Sequence, residues 1–262
     1  MSYIVIGLVS LLVSLLTLFS GFGLGTLLLP AFLIFFPAPV AIAATAIVHL
    51  SNNLFKVVFV GKKANWKVVA LFSVPATFAA LLGAFLISRL SDLPTLFQYQ
   101  WLGKTLTVSA LNLTVACLMA LFAFLELSPQ FQRLSFPGQL IPVGGLLSGF
   151  FGGLTGHQGA LRSAFLIRAG LDKESFIGTT VISAILIDIA RLGVYGTTFL
   201  RGHFRILAAQ DQVGLIIVGI VSAFLGTYLG SRFIHKVTLP LIQRLVGGLL
   251  MLYAVLLGTG LI

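Results

Sequence analysis

Apolar runs fill most of this chain, and they come in two lengths. The longer runs cover residues 3–20, 38–60, 68–88, 106–124, 140–155, 176–195, 213–233 and 241–258, and a helix that crosses a bilayer needs about 20 mostly apolar residues. Two further runs, 26–36 and 160–167, are too short, because at ~1.5 Å per residue neither covers a hydrocarbon core ~30 Å thick. Each short run follows a glycine cluster. The first is Ser20-Gly21-Phe22-Gly23-Leu24-Gly25-Thr26, and the second spans 149–159 and ends in Gly156-His157-Gln158-Gly159. In lipid a backbone must satisfy its own hydrogen bonds, so the long runs are expected to be helices. The short runs read as parts of broken spans, whose irregular backbone is tolerated where it is buried in protein or lines a cavity. The expected fold is all-α, a polytopic integral membrane protein with about 8–10 membrane segments.

Composition excludes most alternatives. Of the 262 residues 58% are hydrophobic and 8% charged, against about 25% charged in a soluble domain. No polar stretch is long enough for a soluble domain. A net charge of +10 in a soluble protein would point to nucleic acid. Here the basic residues sit mostly in short loops, where they set membrane orientation, so the bilayer is the expected partner and nucleic acid is not. The N-terminus lacks a basic region and runs on into the first glycine cluster, which does not fit a signal peptide. The lone Cys117 excludes internal disulfides and thiolate metal clusters. No HExxH, Gly-x-Ser-x-Gly or phosphate-loop motif occurs, so an enzyme is not expected. His49, His157, His203 and His235 lack metal-ligand spacing, and neither a metal nor a cofactor is implied.

The halves repeat. Residues 80–90 and 223–233 match at Ala80/Ala223, Leu82/Leu225, Gly83/Gly226, Leu86/Leu229, Ser88/Ser231 and Arg89/Arg232. At a slightly smaller offset Gly25 meets Gly159, Thr45 meets Thr179 and Lys67 meets Arg201. This divides the chain into a first membrane repeat, 1–125, a connecting loop, 126–138, and a second repeat, 139–262. If the repeats are inverted, one face collects Lys62, Lys63, Lys67, Arg133, Arg168, Lys173, Arg232, Lys236 and Arg244, and the other collects Arg89, Lys104, Arg201 and Arg205. If they are parallel the faces nearly balance. Basic residues crowd the cytoplasmic side, so the inverted arrangement is favoured, with Lys62 and Lys63 in the cytoplasm.

Charge inside a span costs ~2.5–3.5 kcal/mol on insertion scales, so each intramembrane charge needs a reason. In the run 38–60, Thr45, His49, Asn52, Asn53 and Lys56 fall within about 100° of helical arc. In the run 176–195, Thr180, Asp188, Arg191 and Tyr195 fall within about 80°, with Ser183 on the flank and Thr179 at the start. Matching polar stripes on corresponding helices suggest a shared polar cavity. Structural readings stand beside this one. Asn52 and Asn53 can serve helix–helix hydrogen bonds, and Lys56, close to a helix end, is expected to snorkel to the interface. Asp188 and Arg191, three residues apart, can pair with each other. His49 reads equally as a titrating group and as a packed core histidine. The segment Gly156-His157-Gln158-Gly159 leads into a short helix whose N-terminal N–H groups and dipole suit an anion, with Arg162 one turn further on. Tight GxxxG-type packing accounts for the glycines but not for His157, Gln158 and Arg162 together.

The cluster Gly21-Phe-Gly-Leu-Gly-Thr-Leu-Leu-Leu-Pro30, followed by Ala43-Ala-Thr45 in the next helix, resembles the sulfite exporter TauE/SafE family. A similar second copy runs from Gly149 to Gly159 and on to Gly178-Thr179-Thr180. The resemblance covers nearly the whole chain. It implies a multi-pass transporter of the bacterial inner membrane that carries small anions such as sulfite, sulfonates or organic acids. It also implies roles for Gly21, Gly23, Gly25, Pro30, Thr45, Gly156, Gly159 and Thr179. The chain departs from the pattern at His157-Gln158, where glycine is usual, and at Ala164, where proline is expected, so it resembles a divergent subgroup. An opposed reading is a non-transporting membrane subunit or assembly partner of another complex. The residues leave open whether transport is coupled to protons, through His49, His157 or Asp188, and whether the chain forms a homodimer.

Overall fold

The structure, a computed structural model, describes residues 1–17, 24–132, 134–198, 212–233 and 239–262. The expected backbone breaks at Gly21 and Gly23 lie outside the described residues. Helix α1 covers Ser2–Thr17 and the short, fully buried α2 covers Leu24–Leu33, with Pro30 inside it. Pro37 and the proline that follows it at Pro39 set the start of α3, Ala38–Val60, because a fixed φ suits a helix's first turn and the missing N–H has no partner there to lose. A 3₁₀ turn, Gly61–Lys63, leads to α4, Trp66–Ser91. Asn65 caps α4 by accepting from the Val68 N–H at 3.2 Å.

The first correction concerns the run at 106–124. Its opening residues are a strand. β1, Thr95–Trp101, pairs antiparallel with β2, Lys104–Ser109. The turn between them uses Leu102 at φ 48° and Gly103 at φ 74°, the positive φ that tight hairpin turns require. Leu106 and Val108 of β2 are buried. Helix α5, Ala110–Leu127, starts only where Ser109 accepts from the Asn112 N–H at 3.1 Å. After a four-residue helix, α6 (Pro129–Gln132), come α7 (Ile141–Thr155), α8 (Gly159–Leu166), α9 (Lys173–Thr197), α10 (Gln212–Phe233) and α11 (Leu239–Gly258).

Among the described residues five helices are long and apolar enough to cross a membrane: those at Ala38–Lys63, Trp66–Ser91, Ala110–Leu127, Lys173–Thr197 and Val213–Arg232. The run 140–155, expected to span alone, yields the 15-residue α7, about 22 Å at the usual rise. It ends because Gly156 turns left-handed, at φ 89°.

Close approach of backbones organises the packing. On α7, Gly145, Gly149 and Gly153 lie against the carbonyls of Phe72, Ala76 and Ala80 on α4, leaving no room for a side chain. On α10, Gly226 and Gly230 lie in the same way against Leu11 and Leu15 of α1. Both pairs run parallel, since the contact numbers rise together on the two helices. By contrast α3 and α9 run antiparallel. Gly178 near the start of α9 meets Val60 at the end of α3 and Ala64 just beyond it, and mid-helix His49 meets Asp188. Thr227 of α10 donates to Asn52 on α3 at 2.8 Å, and Ser73 of α4 donates to Ser183 on α9 at 2.9 Å. The crossing pair α3/α9 therefore has a flanking helix hydrogen-bonded to each member.

Candidate functional site

The α7–α8 break is built by its glycines. Gly156 accepts the left-handed conformation that other residues adopt at a cost, and its N–H closes α7 onto the Gly152 carbonyl at 2.9 Å. A Cβ there would stand 2.6 Å from Nη1 of Arg191, so the missing side chain also makes room for that guanidinium. Gln158 precedes α8 without capping it through its side chain; its backbone carbonyl accepts from Ser148 Oγ at 2.8 Å. The start of α2 arrives at the same place. Gly25, at the start of α2, lies against the His49 ring and the Gly156 carbonyl, with 3.4 and 3.6 Å to its missing Cβ. The start of α2 thus lies beside the α7–α8 break and against His49.

Asp188 is the hub. His49 Nδ1 lies 2.6 Å from Asp188 Oδ2. Oδ1 accepts from Arg191 through Nε at 3.0 Å and Nη2 at 2.7 Å, and from Gln158 Nε2 at 3.3 Å. Arg162 Nη1 donates to Gln158 Oε1 at 3.2 Å, so Gln158 relays between Arg162 and the carboxylate. The Asn53 amide nitrogen lies 3.2 Å from the His49 ring nitrogen. Arg191 also donates to the Gly152 carbonyl at 3.4 Å, and the Tyr195 hydroxyl donates to the Gly153 carbonyl. The anchors of Arg191 and Tyr195 are therefore carbonyls of α7's last turn. Every side chain in this network is buried: His49, Asn53, Gln158, Arg162, Asp188, Arg191 and Tyr195.

Several expected site residues join the network and others stand apart. His157 is buried and stacked on Phe122 with centroids 5.2 Å apart, and its Nδ1 is 2.7 Å from Thr155 Oγ1. Thr180 bonds within its own helix, to the Ile177 carbonyl at 2.8 Å. Thr179 accepts from the Asn65 N–H at 3.0 Å and ties α9 to the turn after α3. Thr45 is fully buried, and Asn52 holds Thr227. Among the described residues Thr45 Oγ1, Asn52 Nδ2 and His157 Nε2 are buried with no hydrogen-bond partner. Such atoms are rare in folded proteins and mark places for water or ligand.

Lys56 corrects the sequence reading. It does not snorkel; it is 4% exposed. The hydrogen-bonded network includes Arg162, Arg191 and the carboxylate of Asp188. Sequence reasoning missed Ser148 and Thr227, whose only signal was a hydroxyl inside an otherwise apolar helix.

Membrane-length helices around the short α2 and α8, which meet at a buried polar cluster, define a multi-pass membrane protein with an internal polar centre. Its family follows from the whole chain: residues 6–257 match the model of the sulfite exporter TauE/SafE family, and the chain belongs to that family. Membership makes it a transporter-type membrane protein, in keeping with the apolar helices. Neither curated proteins nor solved structures give a match.

Proposed function

We propose that the chain moves a small anion across the membrane, binding it between the two helix breaks. The observation that carries this reading is the buried polar centre where the start of α2 meets the α7–α8 break: Gly25 lies against the His49 ring and the Gly156 carbonyl, and His157 Nε2, next to Gly156, is buried without a hydrogen-bond partner. Asp188 there is already engaged by Arg191 and His49. A buried polar group without a partner marks a place for water or a ligand. Arg162 supplies the fixed charge, since a guanidinium fork suits a carboxylate or a sulfur oxyanion, and α8, starting beside it without a side-chain cap, directs its positive end the same way. An anion of the kind the family name implies, sulfite or a related sulfonate or organic acid, fits this chemistry. Export down an inside-negative potential gains ~2.3 kcal/mol per charge per 100 mV.

The reading extends to a bacterial inner membrane, to inverted repeats with Lys62 and Lys63 on the cytoplasmic side, and to His49–Asp188 as the proton carrier if transport is proton-coupled. The antiparallel run of α3 against α9 supports inversion, because these are the corresponding helices of the two halves. Transport of labelled sulfite into proteoliposomes tests the proposal. The parent protein is expected to transport, Arg162→Ala to be inserted and folded but inactive, and Arg162→Lys to recover part of the rate. A fully active Arg162→Ala refutes it.

A further inference from the structure

The connection between the membrane-length helices α4 and α5 is the β1–β2 hairpin, and its pairing sorts side chains by chemistry. On one face Phe97 stands opposite Val108, Tyr99 opposite Leu106 and Trp101 opposite Lys104. On the other, Gln98 stands opposite Thr107 and Gln100 opposite Thr105. Strand residues alternate between faces, so the first face is apolar and aromatic, closed by a lysine, and the second is polar. Only the β2 half of the apolar face is covered. Leu106 and Val108 are buried, whereas Phe97 is 51% exposed, Trp101 52% and Leu102, in the turn, 81%. The hairpin is held by the chain just past α11. The Tyr99 hydroxyl donates to the Thr259 carbonyl at 2.5 Å, and a Cβ on Gly260 would stand 2.6 Å from the Thr107 carbonyl oxygen.

Two strands alone are marginally stable in water, and among the described residues this sheet has only two. The open aromatic strip therefore needs cover. Its place in the chain says which. The hairpin lies between the end of one candidate span at Ser91 and the start of the next at Ala110, at the level where both leave the hydrocarbon. Its outer edges are unpaired among the described residues, which hydrocarbon does not tolerate and the hydrated headgroup layer does. Tryptophan and tyrosine concentrate in that layer, with an apolar body and a polar tip. Lys104, beside Trp101, is the charge that suits lipid phosphates.

We propose that the hairpin is an interfacial anchor: Phe97, Trp101 and Leu102 insert among the lipid headgroups, Lys104 meets their phosphates, and the Gln98, Gln100, Thr105 and Thr107 face stays in water. Through Thr259 and Gly260 it fixes the depth of α11 as well as of α4 and α5.

Tryptophan fluorescence tests this, because Trp66 and Trp101 are the tryptophans of the chain. The full-length protein is reconstituted into phosphatidylcholine vesicles brominated either high on the acyl chains, next to the headgroups, or near the chain ends. Emission from Trp101 is read directly in Trp66→Phe, and independently as the difference between the parent and Trp101→Phe, so that one variant failing to fold leaves the other measurement. The expected result is stronger quenching by the shallow bromines than by the deep ones, with weak quenching by aqueous acrylamide. Free quenching by acrylamide with none by either lipid puts the hairpin in water and overturns the proposal. Stronger quenching by the deep bromines also overturns it. So does shielding from every quencher, which marks a second copy as the cover if dilution in lipid lifts it, and another part of the chain if dilution does not.

Discussion

Gly149 is the position where a single methyl group should travel furthest. The Cβ of an alanine there would stand 2.6 Å from the Ala76 Cα and 2.7 Å from its carbonyl carbon. Non-bonded carbons keep about 3.5–4.0 Å, so α7 must retreat from α4 by about 1 Å. The atoms in the way are backbone and cannot rotate aside. Overpacking of this kind costs about 1–3 kcal/mol. The retreat also reaches the site, because the carbonyls of Gly152 and Gly153, in the last turn of α7, receive Arg191 and Tyr195. A displacement of ~1 Å in a binding constellation can cost about 100-fold in rate. Gly193→Ala is the control. It lies inside α9, and a Cβ there meets nothing within 4 Å, so the change should be neutral or gain up to ~1 kcal/mol of helix propensity. Thermal unfolding of detergent-solubilised protein, followed by size exclusion, should rank Gly193→Ala at or above the parent and Gly149→Ala well below. Proteoliposome transport should fall only in Gly149→Ala. A Gly149→Ala protein as stable and as active as the parent refutes the close-packing argument, and so does equal damage from Gly193→Ala.

Three other outcomes are expected. Asp188→Asn leaves Arg191 buried without its counter-charge and should cost about 3–5 kcal/mol, read as a large fall in melting temperature, whereas Asn53→Ala should change it little. Asp172 caps α9 by accepting from the Ser175 N–H at 2.9 Å, and that bond, with the Ser175 hydroxyl, holds its carboxyl below the ordinary value. A lowered folded-state value stabilises above the ordinary carboxylate range and is lost as pH falls through it, so the melting difference between parent and Asp172→Ala should shrink on acidification. A cysteine introduced at Lys63 should resist membrane-impermeant reagents applied to intact cells and react in inside-out vesicles; labelling from outside would reverse the orientation.

What could be read from the sequence was whatever one residue type decides alone. Glycine marks a break because only glycine tolerates the left-handed turn at Gly156, and the length of an apolar run bounds a helix without knowledge of its neighbours. The helical arc also put His49, Asn53, Asp188 and Arg191 on facing stripes, and they meet. The failures share one cause, dependence on what lies opposite. Whether Lys56 turns outward or inward depends on which helices cover its face, and no local pattern records that. The strand at 104–109 is hidden because Leu106 and Val108 extend an apolar run, and a period of two over six residues is weak against the helix that follows. Thr179 looks like a partner of Thr45, yet its hydroxyl takes the Asn65 N–H, a backbone group that the sequence does not show to be near. The glycines of α7 were legible as a group but not one by one, since Gly149 serves packing and Gly156 serves the turn.

The paired helices bear on how such a site forms at all. Gly83 and Gly226, matched in the sequence repeat, make matched contacts: Gly83 lies against the Phe150 carbonyl of α7, and Gly226 against the Leu11 carbonyl of α1. Each half thus lends its fourth helix to the first helix of the other. Exchange of this kind, with α3 antiparallel to α9, supports a two-fold axis lying in the membrane plane. Under such an axis the two short helices would point their starts toward each other, and Gly25 does lie against the Gly156 carbonyl. In a parallel duplication the two starts would point the same way along the membrane normal, and at most one could face a given anion. Inversion would therefore bring two positive helix ends to one depth in the membrane, where the dielectric is low and a charge on a substrate would be felt most strongly.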